Sequence, residues 1–97
     1  MIIYEVNLNI SLNVYNKFDL WLNKHIEKML SHKGFIECKR YTIKSDDIKN
    51  KNICLHYYIE DENSLQDYLD NYSKIMQKSA VLIFGKQFSA NRRILLK

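Results

Sequence analysis

The sequence predicts a single α+β domain, residues 1–97, in which a strand-helix-strand unit occurs twice. Two stretches carry apolar residues at three- and four-residue steps, as one face of a helix does, and four others alternate with a period of two, as strands do. The chain has no proline and only two glycines, Gly34 and Gly85. Each glycine follows a helical stretch and is soon followed by a phenylalanine, which is typical of a helix that ends at a left-handed residue before a strand begins.

The first unit consists of strand Ile2–Ile10, an amphipathic helix and strand Phe35–Ile43. The helix is expected to begin at an Asn13 cap and to be closed by Gly34. Because side chains alternate along a strand, the first strand should have one apolar face and one mixed face. The apolar set is Tyr4, Val6, Leu8 and Ile10, the mixed set is Ile3, Glu5, Asn7 and Asn9, and the helix stripe is Val14, Phe18, Trp21, Leu22, Ile26, Met29 and Leu30.

The second unit follows a polar loop, Lys44–Asn52, and begins with strand Ile53–Glu60. This strand places Ile53, Leu55, Tyr57 and Ile59 on one face and Cys54, His56 and Tyr58 on the other.

A capping box, with Asn63 as the cap and Gln66 reaching back to it, predicts the start of the second helix. Its apolar stripe runs from Leu65 to Met76. The stretch Ala80–Phe84 is apolar on every side and is therefore expected to be buried from two directions. Gly85 should end the helix, and Phe88–Leu96 should form the last strand.

This order of elements defines a ferredoxin-like β-α-β-β-α-β sandwich, with four antiparallel strands and two helices on one face of the sheet. The other face is left open, and the mixed strand faces are its candidates. Arg92 and Arg93 are neighbours on a strand and must point to opposite sides, so one of them should join the open face. The remaining candidates are Ile3, Glu5, Asn7, Asn9, His56 and Tyr58.

Composition excludes several classes of protein. With 46% hydrophobic and 12% aromatic residues the chain is not disordered, and Ala80–Phe84, its longest apolar run, is too short to span a membrane. No secretion signal is visible at Met1–Glu5, and Cys38 and Cys54 are not in a CxxC spacing, so we expect a cytoplasmic protein with reduced thiols. A disulfide between the two cysteines remains geometrically open. The net charge of +4 is scattered among acidic residues, which favours solubility over nucleic-acid binding.

The candidate functional residues have structural alternatives. His25 can act as a general base or ligand, or simply form a hydrogen bond at the helix–sheet boundary. His56 is a candidate if it points to the open face, and an arginine there can bind a carboxylate or phosphate, or pair with Glu5 or Glu37. The histidines show no HxH or HExxH spacing, so no metal site and no cofactor are predicted.

RNA-recognition domains share this order of elements and stack bases on aromatic residues of the first and third strands. Tyr4 and Tyr57 or Tyr58 lie in the corresponding strands. However, the third strand lacks the basic-Gly-aromatic-Gly pattern of that motif, and Tyr4 shares a face with core residues. RNA binding is therefore the less favoured alternative.

Three segments, Met1–Ile10, Trp21–Ile26 and Phe88–Leu95, together resemble an uncharacterised bacterial family, a domain of unknown function in the dimeric α/β-barrel superfamily of ferredoxin-like folds. The similarity covers nearly the whole chain. Two departures are Glu27, where such proteins typically have proline, and the apolar Ala80–Ile83, where they are usually charged. The resemblance implies a homodimer in which two open sheet faces enclose a lumen.

From the residues and the resemblance together we expect a homodimeric barrel that binds a small ligand, in the lumen or in the cleft between sheet and helices. The lumen should be lined by Glu5, Asn7, His56, Tyr58 and Arg93, with His25 near its mouth. Catalysis lacks support, and an enzyme would resemble the cofactor-independent monooxygenases of this superfamily. The alternative is a non-catalytic interaction module that uses Ala80–Phe84 as an apolar contact.

Overall fold

The structure, a computed structural model, describes residues 1–97 and contains four strands and three helices. In chain order these are β1 (Ile2–Ser11), α1 (Tyr15–Leu30), β2 (Phe35–Thr42), β3 (Asn50–Ile59), α2 (Glu62–Asn71), α3 (Ser73–Phe84) and, after a short 3-10 turn, β4 (Phe88–Leu96). The strands form one antiparallel sheet in the order β2-β3-β1-β4. The predicted ferredoxin-like α+β fold is therefore confirmed, with a third helix where one continuous helix was expected.

The core lies between the helices and one face of the sheet. The apolar set of β1 and the set of β3 that begins with Ile53 are all buried, as the alternating pattern predicted. From the helices, Phe18, Leu22, Met29, Leu65 and Tyr68 pack against them. The opposite sets of side chains on β1 and β3 therefore lie on the open face, which no helix covers.

The helix ends differ from the sequence-based expectations. Helix α1 begins at Tyr15, with Val14 at the cap position and no side-chain cap. The prediction of an Asn13 cap was therefore wrong. The backbone amide of Asn13 instead donates to Ser11 Oγ at 3.4 Å. Helix α2 is capped by Asp61, whose carboxylate accepts from the Ser64 amide at 2.8 Å. The predicted Asn63 capping box was therefore also wrong.

A break at Tyr72 divides the predicted second helix into α2 and α3. Tyr72 leaves the helical conformation at φ −128°, and the Ser73 hydroxyl donates to the Leu69 carbonyl at 2.9 Å. This bond satisfies one of the carbonyls that a helix end leaves without a partner.

The stretch Ala80–Phe84 is not buried from two directions, contrary to expectation. Ala80 and Phe84 face the core, but Val81, Leu82 and Ile83 are 54%, 81% and 60% exposed. The reason is that α3 belongs to a single layer of helices, so its outer side has no second layer to cover it. No helix in the structure is both long enough and apolar enough to cross a membrane.

Tyr57 carries a polar group that the core does not satisfy. Its side chain is 1% exposed, and its hydroxyl has no hydrogen-bond partner of normal geometry, with only the weakly bonding Cys38 thiol nearby. Burial raises the pKa of this phenol, so the hydroxyl stays protonated. We expect Tyr57→Phe to leave the free energy of unfolding unchanged or to raise it by about 1 kcal/mol, since an unpaired buried hydroxyl is costly. Urea unfolding of the two proteins measures this difference.

Tyr57→Ala is the matched control for that variant, because it also removes the ring and should cost about 3–5 kcal/mol. A loss above about 1 kcal/mol for Tyr57→Phe would mean that the hydroxyl has a partner in solution.

Candidate functional site

The open face has a polar centre on its two inner strands and one edge strand. Glu5 of β1 lies directly opposite His56 of β3 on one side and Arg93 of β4 on the other. Asn7 of β1 and Cys54 of β3 are the next residues along the same face and oppose each other. We call these five residues, Glu5, Asn7, Cys54, His56 and Arg93, the polar centre.

Both carboxylate oxygens of Glu5 are used within the polar centre. Oε1 lies 2.8 Å from His56 Nε2 and accepts a weak hydrogen bond from Cys54 Sγ at 3.7 Å. Oε2 accepts from Asn7 Nδ2 at 3.0 Å and from Arg93 Nε. Glu5 is only 4% exposed although no helix covers this face, because its neighbours' side chains surround it. A carboxylate this enclosed needs such partners to remain charged.

The partners determine the charge states. The hydrogen bond from Arg93, followed by those from His56 and Asn7, outweighs burial and lowers the pKa of Glu5 to about 2. Burial, together with the Glu5 charge, raises the pKa of the Cys54 thiol. At neutral pH the centre therefore holds a carboxylate beside a protonated thiol and a guanidinium.

The lowered pKa of Glu5 predicts an acid-sensitive component of stability. Since the folded-state pKa is about 2 and the ordinary value is 4.5, this component is fully present above pH 4.5 and is lost as the pH falls from there to about 2. In Glu5→Gln we expect the urea midpoint to fall less over this range than in the unmodified chain. Glu60→Gln, at an exposed carboxylate without an ion pair, is the control and should keep the original pH dependence. Equal pH profiles for all three proteins would contradict the assignment.

The polar centre lies between an apolar end and an amide-rich end of the open face. At the apolar end Ile3, Tyr58 and Leu95 line a shallow concavity. At the other end Asn9 Nδ2 donates to Asn52 Oδ1 at 2.8 Å. Two aromatic rings lie beside these groups. Tyr41 lies edge-on to His56 of the polar centre, with ring centroids 5.6 Å apart. The Lys39 ammonium lies 5.0 Å from the centroid of the Tyr58 ring. The face thus combines hydrogen-bonding, charged and apolar contacts.

The register resolves which arginine faces which way. Arg93 pairs with Glu5 on the open face, whereas Arg92 pairs with Val6 and lies on the helix side. The expectation that the open-face arginine can form an ion pair with Glu5 is confirmed. The Arg93 side chain is 69% exposed, so much of its guanidinium remains accessible.

His25 does not join this group. It lies on α1, on the helix side of the sheet, where its ring stacks on Trp21 with centroids 4.5 Å apart and an interplanar angle of 18°. Burial, then the charges of Arg92 and Lys28, lower its pKa to about 4, so the ring is neutral. It lines a mostly apolar cleft of about 40 Å³ between α1, α3 and the sheet, which has room for only a few water molecules.

Of the six predicted site residues, the structure brings together Glu5, Asn7, His56 and Arg93, with Tyr58 at their edge and His25 apart. Sequence reasoning missed Cys54, which was considered only as one of two reduced thiols. The available signal was its position two residues before His56, on the same strand face. Cys38 of β2 is the cross-strand partner of Tyr57 and faces the helices, whereas Cys54 faces the open side of the sheet. The two thiols therefore lie on opposite sides of the sheet and cannot form a disulfide within the chain.

The open face offers little for base stacking. Tyr4 and Tyr57, which occupy the strands that carry the stacking aromatics of RNA-recognition domains, are 3% and 1% exposed on the helix side. Tyr58 is the aromatic residue of β1 and β3 that faces outward.

The fold and the polar centre define a small ferredoxin-like domain with one sheet face free and a charged cluster at its middle. The chain belongs to the family described as domain of unknown function DUF4286, whose model matches residues 1–97. A comparison with curated proteins found no match in sequence.

Solved structures with the same fold include several monooxygenase-type proteins. A protein from Deinococcus radiodurans, provisionally described as an antibiotic biosynthesis monooxygenase, matches 100% of this chain and 92% of its own with a TM-score of 0.74 and 10% identity. An ethyl tert-butyl ether D (EthD) family protein from Bacillus halodurans matches over 100% and 99%, with a TM-score of 0.68 and 24% identity. SnoaB from Streptomyces nogalater, a cofactor-independent oxygenase, matches over 99% and 92%, with a TM-score of 0.67 and 10% identity. These identities support a shared fold and no more.

Proposed function

We propose that this protein is a cytoplasmic bacterial homodimer whose two open sheet faces enclose a lumen that binds a small anionic or polar-aromatic ligand. The observation that carries the proposal is Glu5, a carboxylate only 4% exposed on the one sheet face that no helix covers. Such a group is built into its surroundings by His56, Asn7 and Arg93, whereas an ordinary solvent-facing sheet needs no enclosed charge.

The size and chemistry of the open face suit self-association. Four strands of eight to ten residues make a face of roughly 19 Å by 30 Å, or about 600 Å² before side-chain relief, close to the roughly 800 Å² that each partner buries in a standard interface. Ile3, Tyr58 and Leu95 supply apolar surface at one end, and the asparagines at the other end can bond to a second chain.

The ligand class follows from the groups that remain available. Arg93 uses Nε for Glu5, so its terminal nitrogens are free to bind a carboxylate or phosphate. Tyr58 and the apolar end beside it can hold an aromatic ring. Binding, rather than catalysis, is the function proposed. If the site also supported a reaction, the description of SnoaB as a cofactor-independent oxygenase indicates the class to assay first.

Light scattering at low and high salt tests the assembly. A dimer mass that persists in high salt supports apolar pairing of the open faces, and a monomer at both salt concentrations would overturn the barrel.

A thermal-shift titration with benzoate, salicylate and phenyl phosphate tests the ligand site. We expect at least one probe to stabilise the dimer, with affinity reduced about tenfold or more in His56→Ala and Arg93→Ala. Arg92→Ala, at the neighbouring residue on the opposite face, is the matched control and should bind normally. Unchanged affinity in both open-face variants, or no stabilisation by any of the probes, would rule out the proposed ligand site.

A protein-interaction module is the second candidate function, favoured by the exposed side of α3. Ile75 and Leu82, two turns apart on that helix, are 70% and 81% exposed, and Lys78 lies between them. Large exposed apolar residues grouped on one helix side are typical of contacts with another chain. If Leu82→Lys abolishes association with a partner protein while Arg93→Ala does not, this second function replaces the first.

A further inference from the structure

We propose that Glu5, Cys54 and His56 form a zinc-binding site on the open face of each chain. The observation is that Glu5 Oε1, Cys54 Sγ and His56 Nε2 all lie within 4.8 Å of one another. The thiol and the imidazole both approach the same oxygen, so three different metal-ligating atoms converge on one small volume. This inference needs only one chain and does not depend on the proposed dimer.

Two of the three ligand separations lie close to those of a tetrahedral zinc site, and the third, between Cys54 Sγ and His56 Nε2, is within 4.8 Å. With zinc–sulfur bonds of about 2.3 Å and zinc–nitrogen or zinc–oxygen bonds of about 2.0–2.1 Å, tetrahedral ligand atoms lie about 3.2–3.7 Å apart. The Sγ–Oε1 distance is 3.7 Å and the Nε2–Oε1 distance is 2.8 Å. The His56–Glu5 pair would therefore open by only a few tenths of an ångström to admit the ion, a movement within the reach of side-chain torsions.

The backbone holds the three ligands in place. Cys54 and His56 are two residues apart on β3 and so share a face, and Glu5 on β1 is the cross-strand partner of His56. Both strands are paired on each side, because the sheet order places them in its middle. Ligands mounted on such paired strands keep their geometry better than ligands on loops.

Outer groups orient the carboxylate toward the ion. Asn7 and Arg93 bind Oε2 and leave Oε1 to face Cys54 and His56. Hydrogen bonds of this kind, from outside the coordination shell, fix ligands in metal sites. Arg93 is cationic, but its side chain is 69% exposed and lies on the Oε2 side, so solvent screens its repulsion of the ion.

The two anionic ligands balance the charge of the ion itself when zinc is bound. Cys54 would bind as a thiolate and release its proton to solvent, and neutral His56 would bind through Nε2 with its proton on Nδ1. The thiolate and the Glu5 carboxylate together neutralise the 2+ charge of the ion. Glu5 and Cys54 are 4% and 9% exposed, which limits competition from water. Three protein ligands leave a fourth position for water or an added ligand.

Titration of the reduced, chelator-treated chain with zinc chloride tests the site. We expect one ion per chain with micromolar or tighter affinity, and with cobalt(II) as the probe a thiolate-to-metal charge-transfer band. Cys54→Ala should abolish the band and weaken zinc binding about 100-fold or more. Cys38→Ala, which removes the thiol on the other face, should keep both signals. His56→Gln should likewise weaken zinc binding, whereas His32→Gln, its matched control, should bind zinc normally.

A measurement on the unmodified chain covers the case in which Cys54→Ala fails to fold. Zinc should slow alkylation of Cys54 by iodoacetamide at least tenfold and leave that of Cys38 unchanged, as read by mass spectrometry of the peptides. Equal alkylation of Cys54 with and without zinc, or equal zinc affinity of the Cys54→Ala and Cys38→Ala variants, would overturn the site.

Discussion

Replacing Gly34 by alanine is expected to lower the free energy of unfolding by about 3 kcal/mol, a large part of the 5–15 kcal/mol typical of a domain. Gly34 has a φ of +84°, which costs an L-residue about 1–2 kcal/mol. An added Cβ would also overlap the side chain of Ser64 at the start of α2, a clash that typically costs about 1–3 kcal/mol. Urea unfolding followed by circular dichroism measures the loss.

Two further variants separate these causes. Gly85→Ala also has a positive φ, +55°, but meets no atom within 4 Å, so it carries the backbone cost alone. In Gly34→Ala/Ser64→Gly the overlap is removed, and we expect the two substitutions to be non-additive by about 1 kcal/mol or more in the stabilising direction. Additive losses would mean that the start of α2 moves away freely and that Ser64 does not restrict this position.

Phe18→Ala is expected to cost about 3–5 kcal/mol, the range for removing a fully buried phenylalanine. Phe18 is completely buried, and its ring lies 4.8 Å from that of Phe84, 5.2 Å from Phe88 and 5.4 Å from Trp21, measured between centroids. It thus connects α1 to the end of α3 and the start of β4. Thermal and urea unfolding should both report the loss.

Leu20→Ala is the matched control for Phe18→Ala, because Leu20 lies on the same helix and is 69% exposed. Its effect should stay within about 0.5 kcal/mol. A loss below about 1 kcal/mol for Phe18→Ala would show that α3 does not close over this part of the core.

The strand faces could be predicted from the sequence because alternation is a local property. Alternation alone assigns Tyr4 and Ile53 to the core without any information about neighbouring strands. The same alternation places Glu5 and His56 on the opposite face of the sheet. Alternation alone does not show whether Arg92 or Arg93 faces the open side, because it requires only that the two point in opposite directions. The pairing of β4 with β1 decides that Arg93 does. Register depends on contacts between distant segments and left this choice open.

Other features depended on competition between similar signals. Asp61 and Asn63 are both good helix caps, and the choice falls to Asp61 because the Glu60 amide is bound to the Gly34 carbonyl at 2.8 Å and the chain turns directly after it. The apolar composition of α3 would indicate burial on all sides only if a second layer covered the outer side of the helix. Composition does not reveal whether such a layer exists. Cys54 became recognisable as a candidate ligand only beside Glu5, a residue 49 positions away.

The position of the polar centre within the sheet also sets how fast its parts move. Glu5, Cys54 and His56 sit on the two inner strands, whose amides are bonded in ladders on both sides and should be among the last to exchange with deuterium. Arg93 sits on β4, an edge strand with one side unpaired, and its long side chain reaches into water. Four of the five groups of the polar centre, Glu5, Asn7, Cys54 and His56, therefore lie on slowly exchanging inner strands, and only Arg93 lies on an edge strand, where amide exchange should be faster.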